Sequence, residues 1–153
     1  MKKMNKKGFS LVELIVVIAI MAVLVGVLAP ALMSNVEKSR AQKDVSAMSE
    51  VTNSVELALA DESIYDEVAN ILGTATSGTI EFAPNAGVIS ISDLQLTPAS
   101  GSAAAVAKLT AELQQQIGES VTLSSKTYKG STYTVTITME AGKAVKVEGA
   151  FAG

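Results

Sequence analysis

The hydrophobic pattern of this 153-residue chain begins with a short polar segment, which a long apolar segment follows. Residues 1–8 are basic and polar, and the twenty residues from Leu14 to Met33 contain no charged side chain. At about 1.5 Å per residue, a helix of twenty residues spans roughly the hydrocarbon core of a bilayer. The pattern therefore predicts a transmembrane helix, with residues 1–8 held on the cytoplasmic side by their positive charge.

Beyond Met33 the helical period continues, but one face becomes polar. Apolar or small residues recur in alternating steps of four and three, at Ala41, Val45, Met48, Thr52, Val55 and Leu59. The opposite face carries the charged residues Lys43, Asp44, Glu50 and Glu56. One continuous helix is predicted from about Ser10 to about Ala60, and its apolar stripe must pack on another element.

The remainder of the chain shows shorter helical and strand patterns. Two helices are predicted, from Asp61 to near Gly73 and from Ser102 to Ile117, and Gly118 is typical of a helix stop. Alternating polarity predicts five strands, at Thr79–Ala83, Val88–Ser92, Val121–Tyr128, Thr132–Met139 and Lys143–Glu148, with a turn at 84–87 between the first two. We expect the last three strands to form an antiparallel meander whose apolar face covers the helix stripe.

These elements predict an α+β fold, in which a long N-terminal helical spine carries a C-terminal antiparallel β-sheet head. Four segments follow from the pattern. They are a leader at 1–8, a transmembrane helix at 9–35, its amphipathic continuation at 36–60, and a globular head at 61–153.

Composition narrows the possible functions. The chain contains no Cys, His or Trp, so disulfides, thiol chemistry and histidine-based catalytic or zinc sites are excluded. The formal charge is −3, with 12 basic and 15 acidic residues, and four of the basic ones are Lys2, Lys3, Lys6 and Lys7. The chain after residue 8 is therefore strongly acidic, which argues against direct binding of nucleic acid. No enzyme activity, metal site or cofactor is predicted.

A single carboxylate, Glu13, lies near the start of the apolar span. A buried charge at this position is costly unless another group pairs with it. If the peptide bond after Gly8 is cut, Phe9 acquires a positively charged α-amino group about one helical turn from Glu13. We expect Glu13 of one subunit to pair with the Phe9 amine of a neighbour, because in a low dielectric each unpaired partner is penalised. This pair sets the register in which the helices pack through Leu11, Val12 and Leu14.

The segment Gly8-Phe9-Ser10-Leu11-Val12-Glu13, after a short Lys-rich leader and before an apolar helix, resembles the class III signal of type IV prepilins and related pseudopilins. The resemblance is specific over about residues 2–35 and architectural over the rest. It implies that prepilin peptidase, a membrane aspartyl protease, cleaves after Gly8 and N-methylates Phe9. It also implies that Glu13 is the family's assembly glutamate. Pro30 lies where many family members have a helix-kinking proline, and Gly26 is a second weak point in the helix.

The resemblance implies a pilin, a structural subunit of a type IVa-like pilus. The precursor is expected in the cytoplasmic membrane as a single-pass protein with its head outside, and the mature protein in an extracellular filament. The implied partners are other copies of the chain, prepilin peptidase, and an inner-membrane assembly platform with its ATPase. Adhesion, twitching motility, biofilm formation or DNA uptake are the implied roles.

Two other functions stay open at this point, and two further interpretations are disfavoured. The chain is alternatively a pseudopilin of a type II secretion or competence system, or a membrane-anchored surface protein that never polymerises. An ordinary signal peptide cut near Ala29-Pro30-Ala31 is disfavoured, because signal-peptide apolar regions are shorter. The acidic residues Asp61, Glu62, Asp66 and Glu67 are expected to be a solvated helix start rather than a Ca²⁺ site.

Overall fold

A computed structural model of the protein describes residues 9–72, 76–97, 103–139 and 144–152. Within them lie three helices, α1 (Leu11–Ala58), α2 (Glu62–Leu72) and α3 (Ala103–Ile117), and a 3-10 turn at Ile91–Asp93. The strands are β1 (Ser77–Phe82), β2 (Pro84–Asn85), β3 (Val88–Ser90), β4 (Gln95–Thr97), β5 (Ser120–Thr122), β6 (Tyr133–Thr138) and β7 (Lys146–Phe151). The chain forms two compact units, one that ends at Glu37 and one that begins at Lys38. The predicted α+β, pilin-like fold class is confirmed.

Helix α1 confirms the prediction of one long helix and lies within two residues of the predicted bounds at each end. Its helical conformation continues through Gly26 and Pro30. The helix ends where the chain turns at Ala60 and Asp61. There Asp61 begins α2, because its Oδ1 accepts hydrogen bonds from the Ser63 backbone N–H at 2.8 Å and from the Ser63 hydroxyl at 2.7 Å. A side-chain acceptor at this position satisfies a helix-start N–H that has no partner within the helix.

The predicted three-stranded meander is confirmed for its last two strands, β6 and β7, which pair antiparallel, and is wrong for its first strand. The four-stranded sheet has the order β4-β1-β6-β7, and all of its pairs are antiparallel. Strand β5 is short and belongs to a second sheet of order β2-β3-β5, in which Ile89 lies opposite Val121. The chain after β5 folds into turns, with the Lys129 N–H bonded to the Ser125 carbonyl at 3.1 Å and the Ser131 N–H to the Tyr128 carbonyl at 3.0 Å. Strand β6 therefore pairs with β1, a strand far away in sequence, and with β7.

The region from Thr79 to Ser92, predicted as two strands around a four-residue turn, contains an additional short strand. Pro84 and Asn85 form β2, which pairs with β3, so the turn itself is only Ala86 and Gly87. Both have positive φ angles, 52° and 87°, as expected for a two-residue hairpin turn. Helices α2 and α3 match their predictions in the described residues, and Gly118 ends α3 with a φ of 87°. The predicted bounds at Gly73, Ser102 and Lys143 lie outside the described residues.

The core of the second unit joins α1 to the four-stranded sheet. The predicted alternation of β6 is confirmed, because Tyr133, Val135 and Ile137 are buried while the threonines between them are partly exposed. The cluster also contains residues of α1, α2, α3 and β1, including Met48, Val51, Val55, Val68, Ile80, Phe82, Leu109 and Leu113. The sheet thus covers a stripe of α1, as the pattern predicted.

The exact face of α1 that is buried differs from the prediction at two positions. Asp44, predicted on the solvated face, is only 1% exposed, and Val45, predicted in the stripe, is 43% exposed. The Asp44 carboxylate accepts hydrogen bonds from the backbone N–H groups of Ser124 at 2.8 Å and Ser125 at 2.7 Å. Burial of the carboxylate opposes ionisation, but these bonds and one from the Ser125 hydroxyl outweigh it, so the pKa of Asp44 lies below its ordinary value of 3.8. Asp44 therefore lies on the buried face of α1, where the loop at Ser124 and Ser125 supplies hydrogen-bond donors for its carboxylate.

Strand β7 lies close to α1 at Gly149. The Thr52 and Tyr133 hydroxyls form a hydrogen bond of 2.9 Å between α1 and β6, and a Cβ atom on Gly149 would collide with both oxygens. Phe151 then packs edge-on against Tyr133 and stacks on Tyr128, with ring centroids 4.9 and 4.1 Å apart. A glycine at 149 is thus required for the close approach of these elements.

Candidate functional site: the N-terminal apolar helix

The first half of α1 presents apolar side chains to the solvent around its whole circumference. The large apolar residues from Phe9 to Val36 are between 41% and 82% exposed. The helix is long and apolar enough to cross a membrane, by length and composition. Apolar surface of this extent on a folded chain marks an interaction with a membrane or with another protein. The segment is therefore the candidate functional site.

The first turn of this helix is held by Glu13. The Glu13 Oε2 atom accepts a hydrogen bond of 3.0 Å from the Ser10 backbone N–H, and the Leu14 N–H binds the Ser10 carbonyl at 3.2 Å. Ser10 and Glu13 have the S-x-x-E spacing of a capping box, in which the glutamate binds the N–H of the residue before the helix. This second role of Glu13 was not predicted, although the S-x-x-E spacing alone indicates it.

The cap places the Glu13 carboxylate beside the backbone nitrogen that follows Phe9. An ionised carboxylate offers about four acceptor positions, and the cap uses one of them. Glu13 can therefore cap its own helix and still accept a hydrogen bond from an ammonium group. It is the only charged side chain between Phe9 and Glu37 in the sequence, so no other side chain in this segment offers a charged partner.

The other predicted site residues are distributed as follows. Phe9 is 82% exposed, and the predicted assembly residues Leu11, Val12 and Leu14 are 72%, 66% and 58% exposed. Gly8, before the predicted cleavage point, lies outside the described residues. Gly26 has no other group within 4 Å of the position that a Cβ atom would take, and Pro30 lies inside the helix. The roles of these residues in cleavage, methylation, assembly and kinking stay predictions.

In the part of the chain that the structure describes, the acidic residues of the head are not grouped as metal ligands. There, no group of three or more Asp or Glu residues is arranged to hold a metal ion. Asp61 caps α2, and hydrogen bonds from Ser63 keep the pKa of its carboxyl below the ordinary value of 3.8. Glu67 forms an ion pair with Lys108 of α3. These contacts explain two of the four acidic residues as parts of the fold.

Comparison with known proteins agrees with the importance of the N-terminal segment. A family model described as a prokaryotic N-terminal methylation motif matches residues 3–29. The chain is 39% identical over 80 residues to prepilin peptidase-dependent protein A of Clostridium perfringens, a match that covers 52% of this chain and 57% of that protein. No solved structure matches the chain.

Two further relatives come from secretion systems. The chain is 38% identical over 66 residues to type II secretion system core protein G of Vibrio cholerae, which covers 42% of this chain and 45% of the relative. The protein of the same name from Aeromonas hydrophila is 37% identical over 65 residues, with 42% and 46% covered. The matches thus span about half the length of these relatives.

The chain thus combines a long apolar N-terminal helix, an N-terminal methylation motif and an antiparallel-sheet head, the combination that the pilin-like fold class describes. The chain carries a prokaryotic N-terminal methylation motif and is similar, over part of its length, to a prepilin peptidase-dependent protein and to type II secretion system core protein G.

Proposed function

We propose that this protein is a structural subunit of a type IV pilus or a closely related pseudopilus, which polymerises through the apolar half of α1. The observation that carries the proposal is an apolar helical surface, exposed on all sides, whose single charge is Glu13. A membrane covers such a surface in the precursor. In the filament, the same surface is buried against the equivalent helices of other copies.

The proposed switch between these two states is proteolytic. Prepilin peptidase cuts after Gly8 and methylates the new amino group of Phe9, which removes Lys2, Lys3, Lys6 and Lys7 and leaves one ammonium group at the end of the helix. That ammonium group pairs with Glu13 of a neighbouring subunit. The uncleaved chain has no amine at this position, so subunits assemble only after cleavage. The name of the Clostridium perfringens relative, which refers to prepilin peptidase, favours this order of events.

Each segment of the chain has its own role in the proposed filament subunit. Residues 1–8 are the leader, 9–35 the membrane and assembly helix, 36–60 its continuation in the head, and 61–153 the rest of the head. The precursor is placed in the cytoplasmic membrane with its head outside, where an assembly platform and its ATPase drive extraction into the filament. Gly26 and Pro30 are the proposed points at which the helix loosens during extraction.

A pseudopilus of a type II secretion system is the second candidate, and a specific observation favours it. Two of the relatives described above are named core proteins of such systems, with 38% and 37% identity over 66 and 65 residues. The two candidates share subunit fold and assembly chemistry and differ in the length and purpose of the filament. Surface pili are expected for the first candidate and loss of protein secretion on deletion for the second.

The proposal is tested on the native protein at the cell surface. Mass spectrometry of the mature protein is expected to find N-methylated Phe9 as the first residue, and electron microscopy of sheared material is expected to show filaments that contain the chain. A native protein that starts at Met1 or at Leu32 would contradict the cleavage. A protein that starts at Phe9 but occurs only as a membrane monomer would contradict the filament function.

A further inference from the structure

We propose that the mature subunit pairs with itself before it joins a filament, because its Phe9 ammonium group binds the Glu13 carboxylate of the same chain while the helix lies in the membrane. This inference rests on the proposed cleavage after Gly8 and adds to it the state of the two charges in a single subunit. The proposed pair between neighbouring subunits then replaces a pair that already exists.

The start of α1 holds the Glu13 carboxylate at the point where the new amine arises. Phe9 and Ser10 lie before the helix, which begins at Leu11. The Ser10 N–H, the first backbone N–H after Phe9, donates a hydrogen bond of 3.0 Å to the Glu13 Oε2 atom. The capping box therefore fixes the carboxylate beside the backbone of Phe9 before any cleavage takes place.

Bond geometry limits how far the Phe9 nitrogen can lie from this carboxylate. Three bonds separate the Phe9 and Ser10 nitrogens, so the two atoms are no more than about 3.7 Å apart. Together with the Ser10 hydrogen bond, this places the Phe9 nitrogen within about 7 Å of Glu13 Oε2. After cleavage, rotation about the Phe9 Cα–C bond moves the nitrogen to the side of the Ser10 N–H, about 2.8 Å from the Ser10 nitrogen. The ammonium group is then within hydrogen-bond reach of the carboxylate.

The donors and acceptors match in number as well as in position. The ammonium group and the Ser10 N–H are successive donors on the backbone, and such donors form a concave site for an anion. A carboxylate offers about four acceptor positions, of which the cap uses one. Methylation of the Phe9 amine keeps its positive charge and leaves it two N–H donors. The Glu13 carboxylate can thus accept the Ser10 N–H and the ammonium group at the same time.

No other charged side chain of the apolar segment competes for the ammonium group. Glu13 is the only charged residue between Phe9 and Glu37 in the sequence, and Glu37 lies about 36 Å further along α1. An isolated charge in the apolar part of a bilayer is costly, so charged groups there pair with one another. Self-pairing leaves the segment from Phe9 to Val36 without net charge, which keeps a single subunit stable in the membrane until a neighbour binds.

Self-pairing changes what the proposed pair between subunits contributes to assembly. Each subunit brings one ammonium group and one carboxylate, so the number of ion pairs is the same before and after it joins the filament. The exchange of partners therefore selects the register of neighbouring helices. Packing of the apolar side chains supplies the driving force for association.

Solid-state NMR of the cleaved, full-length chain in liposomes tests the self-pair. The chain carries isotope labels at the phenylalanine nitrogens and the glutamate carboxyl carbons, and the dipolar coupling of the Phe9 amino nitrogen to carbon is measured. We expect a nitrogen-to-carbon distance of about 4 Å or less, because the nitrogen and oxygen of an ion pair are about 2.8 Å apart. Dilution with unlabelled chain is expected to leave the coupling unchanged, since both atoms belong to one chain. A mixture of chains with only one label each is expected to show none.

Two variants show which carboxylate is responsible. Glu13→Ala removes the proposed partner and is expected to lose the coupling. Glu50→Ala, at an exposed position in the head, is the matched control and is expected to keep it. Mass spectrometry establishes that each sample begins at Phe9, so that the amine is present in every chain that is measured.

The possible results distinguish self-pairing from the proposed function. A native chain that does not begin at Phe9 refutes the proposed cleavage and self-pairing together. A chain that begins at Phe9 but shows no coupling in liposomes refutes self-pairing alone. A coupling that disappears on dilution and appears in the singly labelled mixture belongs to neighbouring chains, which refutes self-pairing and agrees with the proposed assembly contact. A coupling that persists in Glu13→Ala identifies another carboxylate and refutes self-pairing as well.

Discussion

At the residue scale, backbone N–H groups hold both carboxylates that matter most on α1. Glu13 accepts the Ser10 N–H, and Asp44 accepts the N–H groups of Ser124 and Ser125. At Asp44 these bonds stabilise the charged form of the carboxylate. Glu13 serves a local helix start and, by our proposal, a neighbouring subunit. Asp44 joins two parts of one head that are distant in sequence.

The role of Glu13 leads to the first prediction. Glu13→Gln keeps the size of the side chain and a hydrogen-bond acceptor for the Ser10 N–H but removes the charge that pairs with the Phe9 amine. We expect normal leader cleavage and about tenfold less filament, because an unpaired ammonium group in an apolar bundle is strongly penalised. The measurement is the ratio of cleaved protein in sheared filaments to cleaved protein in membranes. Glu50→Gln, an exposed site in the head, is the control, and an unchanged ratio in Glu13→Gln would refute the pairing.

The second prediction concerns Asp44 and pH. Because the pKa of Asp44 is lower in the folded chain than its ordinary 3.8, its contribution to stability is present above that pH. The contribution is lost as the pH falls through the lower, folded-state pKa. Asp44→Asn is expected to reduce the free energy of unfolding by about 2 kcal/mol at pH 7, since an N–H donor of Ser124 or Ser125 loses its partner.

Thermal melts followed by circular dichroism at pH 7 and pH 3 check this prediction. The wild-type head is expected to lose more stability between the two pH values than Asp44→Asn does. Asp66→Asn, on the exposed surface of α2, serves as the control and is expected to melt within a few degrees of the wild type at pH 7. Equal losses in the wild type and Asp44→Asn would show that Asp44 does not contribute in this way.

At the scale of elements, the contact of β7 with α1 depends on the absence of a side chain. Gly149 faces the Thr52 and Tyr133 hydroxyls, whose hydrogen bond of 2.9 Å connects helix and sheet. Nothing in the sequence around Gly149 indicates a contact with residues 52 and 133. Only the pairing of β6 with β7, which places Val135 opposite Gly149, brings these groups together.

The third prediction follows from this contact. Gly149→Ala is expected to destabilise the head by about 2 kcal/mol or more, because β7 must move away from α1 to admit the methyl group. The expected fall in melting temperature is about 10 °C for a domain of this size. Gly130→Ala is the matched control, since no other group lies within 4 Å of the added atom there. Similar melting temperatures for the two variants would contradict the close approach.

Element prediction from the sequence succeeded where a segment's own pattern was enough. The helices and β6 have periodic apolar positions, and their bounds lie within a few residues of those predicted. The error at Val121–Tyr128 arose because a run of alternating residues does not reveal that Ser125 to Ser131 prefer local turns. The pairing of β6 with β1 was missed for a different reason, since partners distant in sequence are chosen by the packing of the whole sheet.

At the scale of the whole molecule, burial differs between the two compact units of the chain. Among the described residues, every buried side chain lies at Asp44 or later, within the unit that begins at Lys38. The segment before Lys38 therefore contributes exposed apolar surface and no buried side chain. This separation is what a subunit needs if the same helix is to lie first in a membrane and then in a filament.

The fourth prediction tests this separation. A fragment that starts at Lys38 is expected to dissolve without detergent and to unfold in one cooperative transition, because it retains the whole described core. The full chain is expected to require detergent, since its exposed apolar side chains associate in water. Sedimentation and thermal melts measure both properties. A fragment that aggregates or melts without a transition would show that residues before Lys38 contribute to the fold.

The sequence by itself determined the properties that depend on local order. These are the long apolar helix, the methylation motif at its start, the single charge at Glu13 and the α+β class, because helix periodicity, length and charge are all properties of neighbouring residues. Tertiary structure alone decided that Asp44 is buried, that β6 pairs with β1, and that Gly149 must lack a side chain. Each of these depends on residues about 50 to 100 positions apart, and such partners meet only when the whole core packs.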